Sequence, residues 1–251
     1  MSSLVYHKQL EGKSEAHLVT LEDGDYYVIK TNKPGFEKTV ANEWVGYCFA
    51  RFLELPVPPS RIISLPESFY LQNENLHTHP YMPYQFASRY IPHTRNLMNT
   101  PFPPTLLNSE SIPRLIMFDY WMYNMDRTKK NILLQEHMES PSYWIIDQAE
   151  ILGSPNWTSA TLGRLPIKIM KSSTHEMLAS LVPNQKAFLE ATELISTIPS
   201  LLIEEVVSMI PACWLPSNEE RSSLISTLVK RKERHLSELC RLFIKKVYMK
   251  L

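Results

Sequence analysis

The sequence predicts an α+β chain in two lobes: a small β-rich amino-terminal lobe with one helix (residues 1–92) and a larger, mainly helical carboxy-terminal lobe (93–251). Three observations predict it. Residues 16–20 and 26–31 are β-favouring runs either side of Glu22-Asp23-Gly24-Asp25, whose Asp-Gly pair signals a hairpin. Prolines, 19 against 6 glycines, cluster in LPVPPS, THPYMPY and NTPFPPT and stiffen the connections of the first half. Apolar residues recur at helical spacing through much of the second half.

Taken in order, residues 38–53 follow the hairpin as a helix, with Val40, Trp44, Tyr47, Cys48 and Phe49 at helical spacing and Leu55-Pro56 as the stop. Residues 61–65 and 84–91 are further strands, and the lobe boundary falls near 91–95. Pro113 opens a helix through LIMFDYWMYN, since proline is tolerated in a first turn. Residues 131–135 and 143–146 are short strands around a polar loop. Residues 185–196, 201–209 and 219–248 are helical by pattern.

Composition excludes several classes. Lys+Arg and Asp+Glu both number 26, so net charge is zero and neither duplex nucleic acid nor an anionic membrane finds an electrostatic footprint. No apolar run approaches the ~18 residues needed to span a bilayer. Cys48, Cys213 and Cys240 form no C-x-x-C, the start lacks a secretory signal, and a reducing, cytoplasmic setting is expected. The Asn156-Trp157-Thr158 sequon therefore carries no glycosylation.

The chemistry concentrates between residues 124 and 147. Asn124-Met125-Asp126-Arg127-Thr128-Lys129-Lys130-Asn131 places D-x-x-x-x-N between an apolar helix and an apolar strand, and Asp147 closes the run Tyr-Trp-Ile-Ile-Asp. Phosphoryl transfer uses such a set: one carboxylate orients the acceptor hydroxyl, while an amide oxygen and a second carboxylate hold Mg²⁺ on the phosphates. The arrangement matches the catalytic template of protein kinases. More closely, the chain resembles the HipA-like kinases over residues 10–150. It does so through the Asn-x-Asp-Arg-x-x-x-Asn loop, the Ile-Asp end, and Gly12-Lys13-Ser14-Glu15-Ala16-His17-Leu18. Tyr27-Val28-Ile29-Lys30, Asn42-Glu43, Leu55-Pro56-Val57-Pro58 and Phe86-Ala87-Ser88-Arg89-Tyr90 follow in the family's order.

The resemblance implies a two-lobed protein-kinase-like fold that moves the γ-phosphoryl of ATP to a hydroxyl, a protein serine or threonine, with Mg²⁺. It implies that Lys30 meets the α- and β-phosphates, that Glu43 holds Lys30, and that Asp126 is the base. Asn131 and Asp147 bind the metal. Gly12 and Ser14 cover the phosphates, and the stretch 85–89, beginning Gln85, Phe86 and Ala87, supplies the hinge backbone for adenine. Three positions depart from the protein-kinase template: one glycine in the phosphate loop, Gln148-Ala149 after Asp147, and Met125 before Asp126.

Plainer readings stand beside these. Lys30 and Glu43 taken singly are solvated charges, and Asp126 with Asn131 an Asx turn; Asp147 after two isoleucines is costly to bury unpaired. Arg127 either meets phosphate or pairs with a carboxylate such as Asp119. Trp121, Tyr123, Tyr143 and Trp144 read as core, and His77 and His79 as loop residues without a metal role. Lys230-Arg231-Lys232-Glu233-Arg234-His235 reads as a solvated face. Ser14, Ser172 and Ser173 are the serines a phosphate could modify, with nothing to choose among them. A nucleotide-binding module without turnover and a small-molecule or lipid-type kinase are the rival functions.

Overall fold

The computed structural model describes residues 4–12, 15–77, 80–98 and 100–251. Lys13, Ser14 and His79 lie outside them. The amino-terminal part is a five-stranded antiparallel sheet, ordered β1-β2-β3-β5-β4. Its strands are β1 (Val5–Gln9), β2 (His17–Thr20), β3 (Tyr26–Lys30), β4 (Ser60–Ser64) and β5 (Tyr84–Arg89), with helix α1 (Thr39–Phe52) between β3 and β4. β1 is an element that composition conceals, because VYHKQ is mostly polar and its side chains stay largely in solvent.

Strand alternation gives this sheet two different faces. Val19, Tyr27, Ile29 and Ala87 point to a small core closed by α2 (Glu67–Leu71) and α3 (Glu74–His77), through Phe69, Tyr70 and Leu76. Val28, Lys30, Phe86 and Ser88 point the other way, to the large cavity described below. Lys30 and Phe86 are register partners on neighbouring strands.

The chain then forms a second, three-stranded sheet, ordered β6-β7-β8 from Thr94–Asn96, Ile132–Gln135 and Ser142–Ile145. Helix α4 (Ile112–Met122) runs between β6 and β7. It carries Pro113 in its first turn, ends at Tyr123 in the left-handed region (φ 50), and buries all its residues but Arg114, as a helix apolar on all sides must. Helices α6 (Ser173–Ala179), α7 (Lys186–Ser196) and α10 (Leu236–Lys246) pack against it, while α5 (Ser159–Leu162) and α8 (Ser200–Ser208) pack on α9 (Asn218–Lys230), whose Leu228 O accepts from Trp121 Nε1.

A π-helical turn, Arg231–His235, joins α9 to α10 and corrects the solvated-face expectation. Arg231 and Lys232 are buried there. Arg231 donates to the carbonyls of Tyr120 (2.6 Å) and Trp121 (2.7 Å), the otherwise unpaired acceptors at the end of α4.

The two parts share one core. Val40, Val45 and Phe49 of α1 belong to the same cluster as α4, and Phe49 meets Trp121 edge-on at 4.9 Å. Polar ties add direction: Trp44 Nε1 donates to Val206 O (3.1 Å), Trp214 Nε1 to Tyr84 O (2.9 Å), and Lys38 to Glu220 (2.6 Å). Among the described residues, no helix is long and apolar enough to cross a membrane.

Candidate active site

A cavity of ≈ 1180 Å³ lies between the amino-terminal sheet and the loops around β7 and β8. Ligand pockets commonly measure ~300–1,000 Å³, so there is room for a nucleotide-sized ligand. Of the residues the sequence singled out, Gly12, Lys30, Glu43, Phe86, Asp126, Asn131 and Asp147 all line it.

Lys30 ends β3, and the next helix carries Glu43 one turn from its start. Lys30 Nζ pairs with Glu43 Oε1 and, at 2.7 Å, with Asp147 Oδ1. Burial alone would push the lysine's pKa down; Asp147 and Glu43 outweigh it and hold the ammonium well above its usual value. Burial acts in the opposite sense on Asp147 and would raise it, but Lys30 and the Ala149 amide bring its carboxyl below the ordinary range. For Glu43 burial and the charge of Asp147 prevail over Lys30, and its pKa rises. One ammonium faces two carboxylates, so the cluster carries a surplus of negative charge.

The opposite wall is the loop after α4. Asp126 N–H donates to Asn124 Oδ1 (3.1 Å), and Asn131 Nδ2 donates to both Asp126 O (2.7 Å) and Asp126 Oδ2 (3.1 Å). Asn131 is thereby oriented: its amide nitrogen is committed, which leaves its oxygen as the atom able to meet a cation. With Asp147 it offers hard oxygen donors, the set suited to magnesium, which keeps several waters and substrate oxygens as further ligands. Such a mixed set is consistent with there being no group of three or more His, Cys, Asp or Glu side chains placed for a metal among the described residues.

Arg127 resolves to the carboxylate side of its two readings. Buried behind the loop, it binds Asp119 through Nε (3.0 Å) and Nη2 (3.1 Å), reaches Ile146 O (2.9 Å) with Nη1, and Gln148 Oε1 (2.8 Å) with Nη2. His175 Nε2 lies 2.9 Å from Asp119 Oδ2. Burial would raise the pKa of Asp119, but Arg127 and His175 outweigh it and hold the carboxyl below its usual value.

Two hinge residues need correction. Gln85 and Ala87 do not line the cavity. Strand alternation turns them to the far face, Gln85 Nε2 is spent on Met82 O (3.0 Å), and their stretch of β5 is paired with neighbours on both sides. Only beyond the strand, at Tyr90 and Ile91, does the backbone leave the sheet along the cavity. Gly12 sits in the β1–β2 turn with φ 143, a conformation L side chains rarely adopt. Trp121, Tyr123 and Tyr143 are core, and Trp144 Nε1 donates to Gln135 (2.9 Å).

Asn42 is a residue that sequence reasoning left without a role. Its amide donates to Ala149 O (2.7 Å), Ile151 O (3.3 Å) and Ser154 O (3.2 Å), and its oxygen accepts from Trp157 Nε1 (2.8 Å), pinning α1 to the chain after Asp147. Only a buried polar residue beside Glu43 hinted at it.

Comparison with solved structures places this architecture among kinase folds. The Helicobacter pylori proinflammatory kinase CtkA matches with a TM-score of 0.63 over 97% of this chain and 97% of that one, at 15% identity. A Golgi casein kinase with Mn/ADP bound matches at 0.58 over 98% and 74%, at 9% identity. HipA of Shewanella oneidensis MR-1, solved with HipB and operator DNA, matches at 0.51 over 93% and 67%, at 12% identity. These likenesses show a kinase fold. A sequence model of the HipA-like kinases matches residues 3–242, and the chain belongs to the HipA-like kinase family. No curated protein sequence matches it.

Proposed function

We propose that this kinase transfers the γ-phosphoryl group of ATP, with Mg²⁺, to the hydroxyl of a protein serine or threonine. The observation that carries the reading is Lys30, held between Glu43 and Asp147 on one wall of a cleft whose other wall presents Asp126 and Asn131. Residues 1–92 then form the nucleotide lobe and 93–251 the lobe with the catalytic loop.

In this reading adenine enters beside Phe86 and meets the backbone at Tyr90 and Ile91. Tyr90 C=O and Ile91 N–H carry no partner among the described residues. Lys30 turns from Asp147 to the α- and β-phosphates, and Glu43 keeps it in place. Asn131 and Asp147 would hold magnesium, which would supply positive charge to the phosphate oxygens. The bound manganese and ADP of the Golgi casein kinase support a nucleotide and a divalent cation here. Asp126 accepts the proton of the acceptor hydroxyl as its oxygen bonds to the γ-phosphorus and the bond to ADP breaks. Positioning and charge neutralisation, without a covalent enzyme intermediate, supply the rate. Gly12, which lines the cavity, lies beside the phosphates in this reading.

The test is ADP release and phosphoryl transfer to a mixture of protein acceptors, with and without Mg²⁺, for the wild type and Asp126→Ala. The proposal expects magnesium-dependent transfer that falls about 10²–10⁴-fold in the variant, the usual contribution of a positioned base. Magnesium-dependent binding without any transfer would instead make the chain a nucleotide-binding module.

A further inference from the structure

We infer that Gln148 is a positioning residue that ties Asp147 to the Asp126 loop and to α1, holding the two walls of the cleft in one arrangement. The inference rests on the kinase reading above. In protein kinases the residue after the metal-binding aspartate is a phenylalanine, whose packing sets the active or inactive state. Here that place is taken by a buried glutamine with directional bonds.

Its Oε1 accepts from Arg127 Nη2 at 2.8 Å, and its backbone N–H donates to Glu43 Oε1 at 3.1 Å. Arg127 Nη1 also donates to Ile146 O at 2.9 Å, so one guanidinium grips the residues on both sides of Asp147. Asp147 itself has φ 62, a left-handed conformation that costs a non-glycine residue energy and persists where its surroundings over-determine it.

The other end of the tie reaches the catalytic loop. Arg127 follows Asp126 directly and is anchored on Asp119, whose Oδ1 also accepts from Asn124 Nδ2 at 3.1 Å. Asn124 in turn receives the Asp126 N–H. Swinging the Gln148 side chain out would leave a buried guanidinium hydrogen unpaired, which is costly in a dry interior.

Helix α1 is shaped to this side chain. A Cβ built on Gly46 would lie 2.6 Å from Gln148 Cβ and 2.8 Å from its Cγ, so only glycine lets the helix approach so closely. Asn42, one turn earlier, binds the carbonyl of Ala149. The template glycine two residues after the aspartate is thus replaced by a segment fixed on both flanks. Positions 148 and 149 show no positive φ that would require a glycine.

Two substitutions separate positioning from packing. Gln148→Met keeps the length and apolar stem and removes the acceptor; Gln148→Glu restores an acceptor for Arg127. Steady-state transfer, the magnesium concentration for half-maximal rate, thermal unfolding and amide exchange are measured for both. The Met variant is expected to lose about tenfold to a hundredfold in kcat and to need more magnesium, with KM for ATP at saturating metal within about twofold of wild type. Exchange in residues 124–131 and 146–150 should quicken in the Met variant, and the Glu variant should recover at least half of the lost kcat on a logarithmic scale. A Met variant with wild-type kcat, metal requirement and exchange overturns the inference while leaving the kinase reading intact. Equal losses in Met and Glu variants, accompanied by equal falls in melting temperature, overturn it in favour of simple packing. A wild type that turns over no ATP overturns the kinase reading and this inference together.

Discussion

Two buried charge clusters lie on either side of the Asp126 loop, and they are built differently. The front cluster, Lys30–Glu43–Asp147, lines the cavity; the Asp147 side chain is 27% exposed, and two carboxylates share one ammonium. The rear cluster, Asp119–Arg127–His175, has side chains at most 2% exposed, and Asp119 meets Arg127, Asn124 and His175 at once. One, with a carboxylate in excess, opens on the cavity that the proposal gives to a cation and phosphates. In the other, both oxygens of Asp119 are met by buried groups. The difference teaches that burial of charge alone does not mark a reaction centre: the front is arranged to exchange partners, whereas the rear holds its neighbours still.

The comparison breaks if both clusters respond alike to losing a charge. The largest effect on stability belongs to the rear: Asp119→Asn should cost about 3–5 kcal/mol in denaturant unfolding, because it strands Arg127 in the interior. Because the folded-state pKa of Asp119 is depressed below its ordinary 3.8, its contribution is present above that pH and lost as pH falls through the folded value. The stability gap between wild type and Asp119→Asn should therefore be full near neutrality and narrow below about pH 4, measured by unfolding across that range.

Next comes the seam between the clusters. Gly46→Ala should destabilise by about 1–3 kcal/mol through overpacking against Gln148, with a lower melting temperature as the readout. The smallest effect belongs to the front. Asp147→Asn removes the surplus negative charge and should leave unliganded stability within about 1 kcal/mol of wild type, or raise it, as substitutions at strained functional positions often do. A loss as large as that of Asp119→Asn would erase the distinction between the clusters.

Legibility in the sequence followed the range of the interactions. Asp126 and Asn131 lie within one loop, and Asp147 closes an apolar run, so their spacing was readable along the chain. The helix on Pro113, the hairpin at Asp23-Gly24 and the strands flanking residues 136–141 were local in the same sense. The contacts of Asn42 with Ala149 and Trp157, of Gln148 with Gly46, and of His175 with Asp119 join residues far apart in sequence and have no spacing to betray them.

Two errors had a local remedy. Alternation along β5 puts Gln85 and Ala87 on one face and Phe86 and Ser88 on the other, so period two alone separated cavity residues from core. The basic run at 230–235 looked solvated because its charge was counted without the carbonyls of α4, which Arg231 caps. β1 remained hidden because its register with β2, and not its own apolarity, makes it a strand.

Calorimetric titration of ATP into the wild type and Asp147→Asn, each with and without Mg²⁺, addresses the front cluster most directly. A cleft completed by metal and nucleotide should bind ATP in the wild type only with magnesium, and Asp147→Asn should lose that magnesium-dependent gain while remaining folded. Equal binding by both proteins, with or without the cation, would contradict the assignment of Asp147 and of the site built around it.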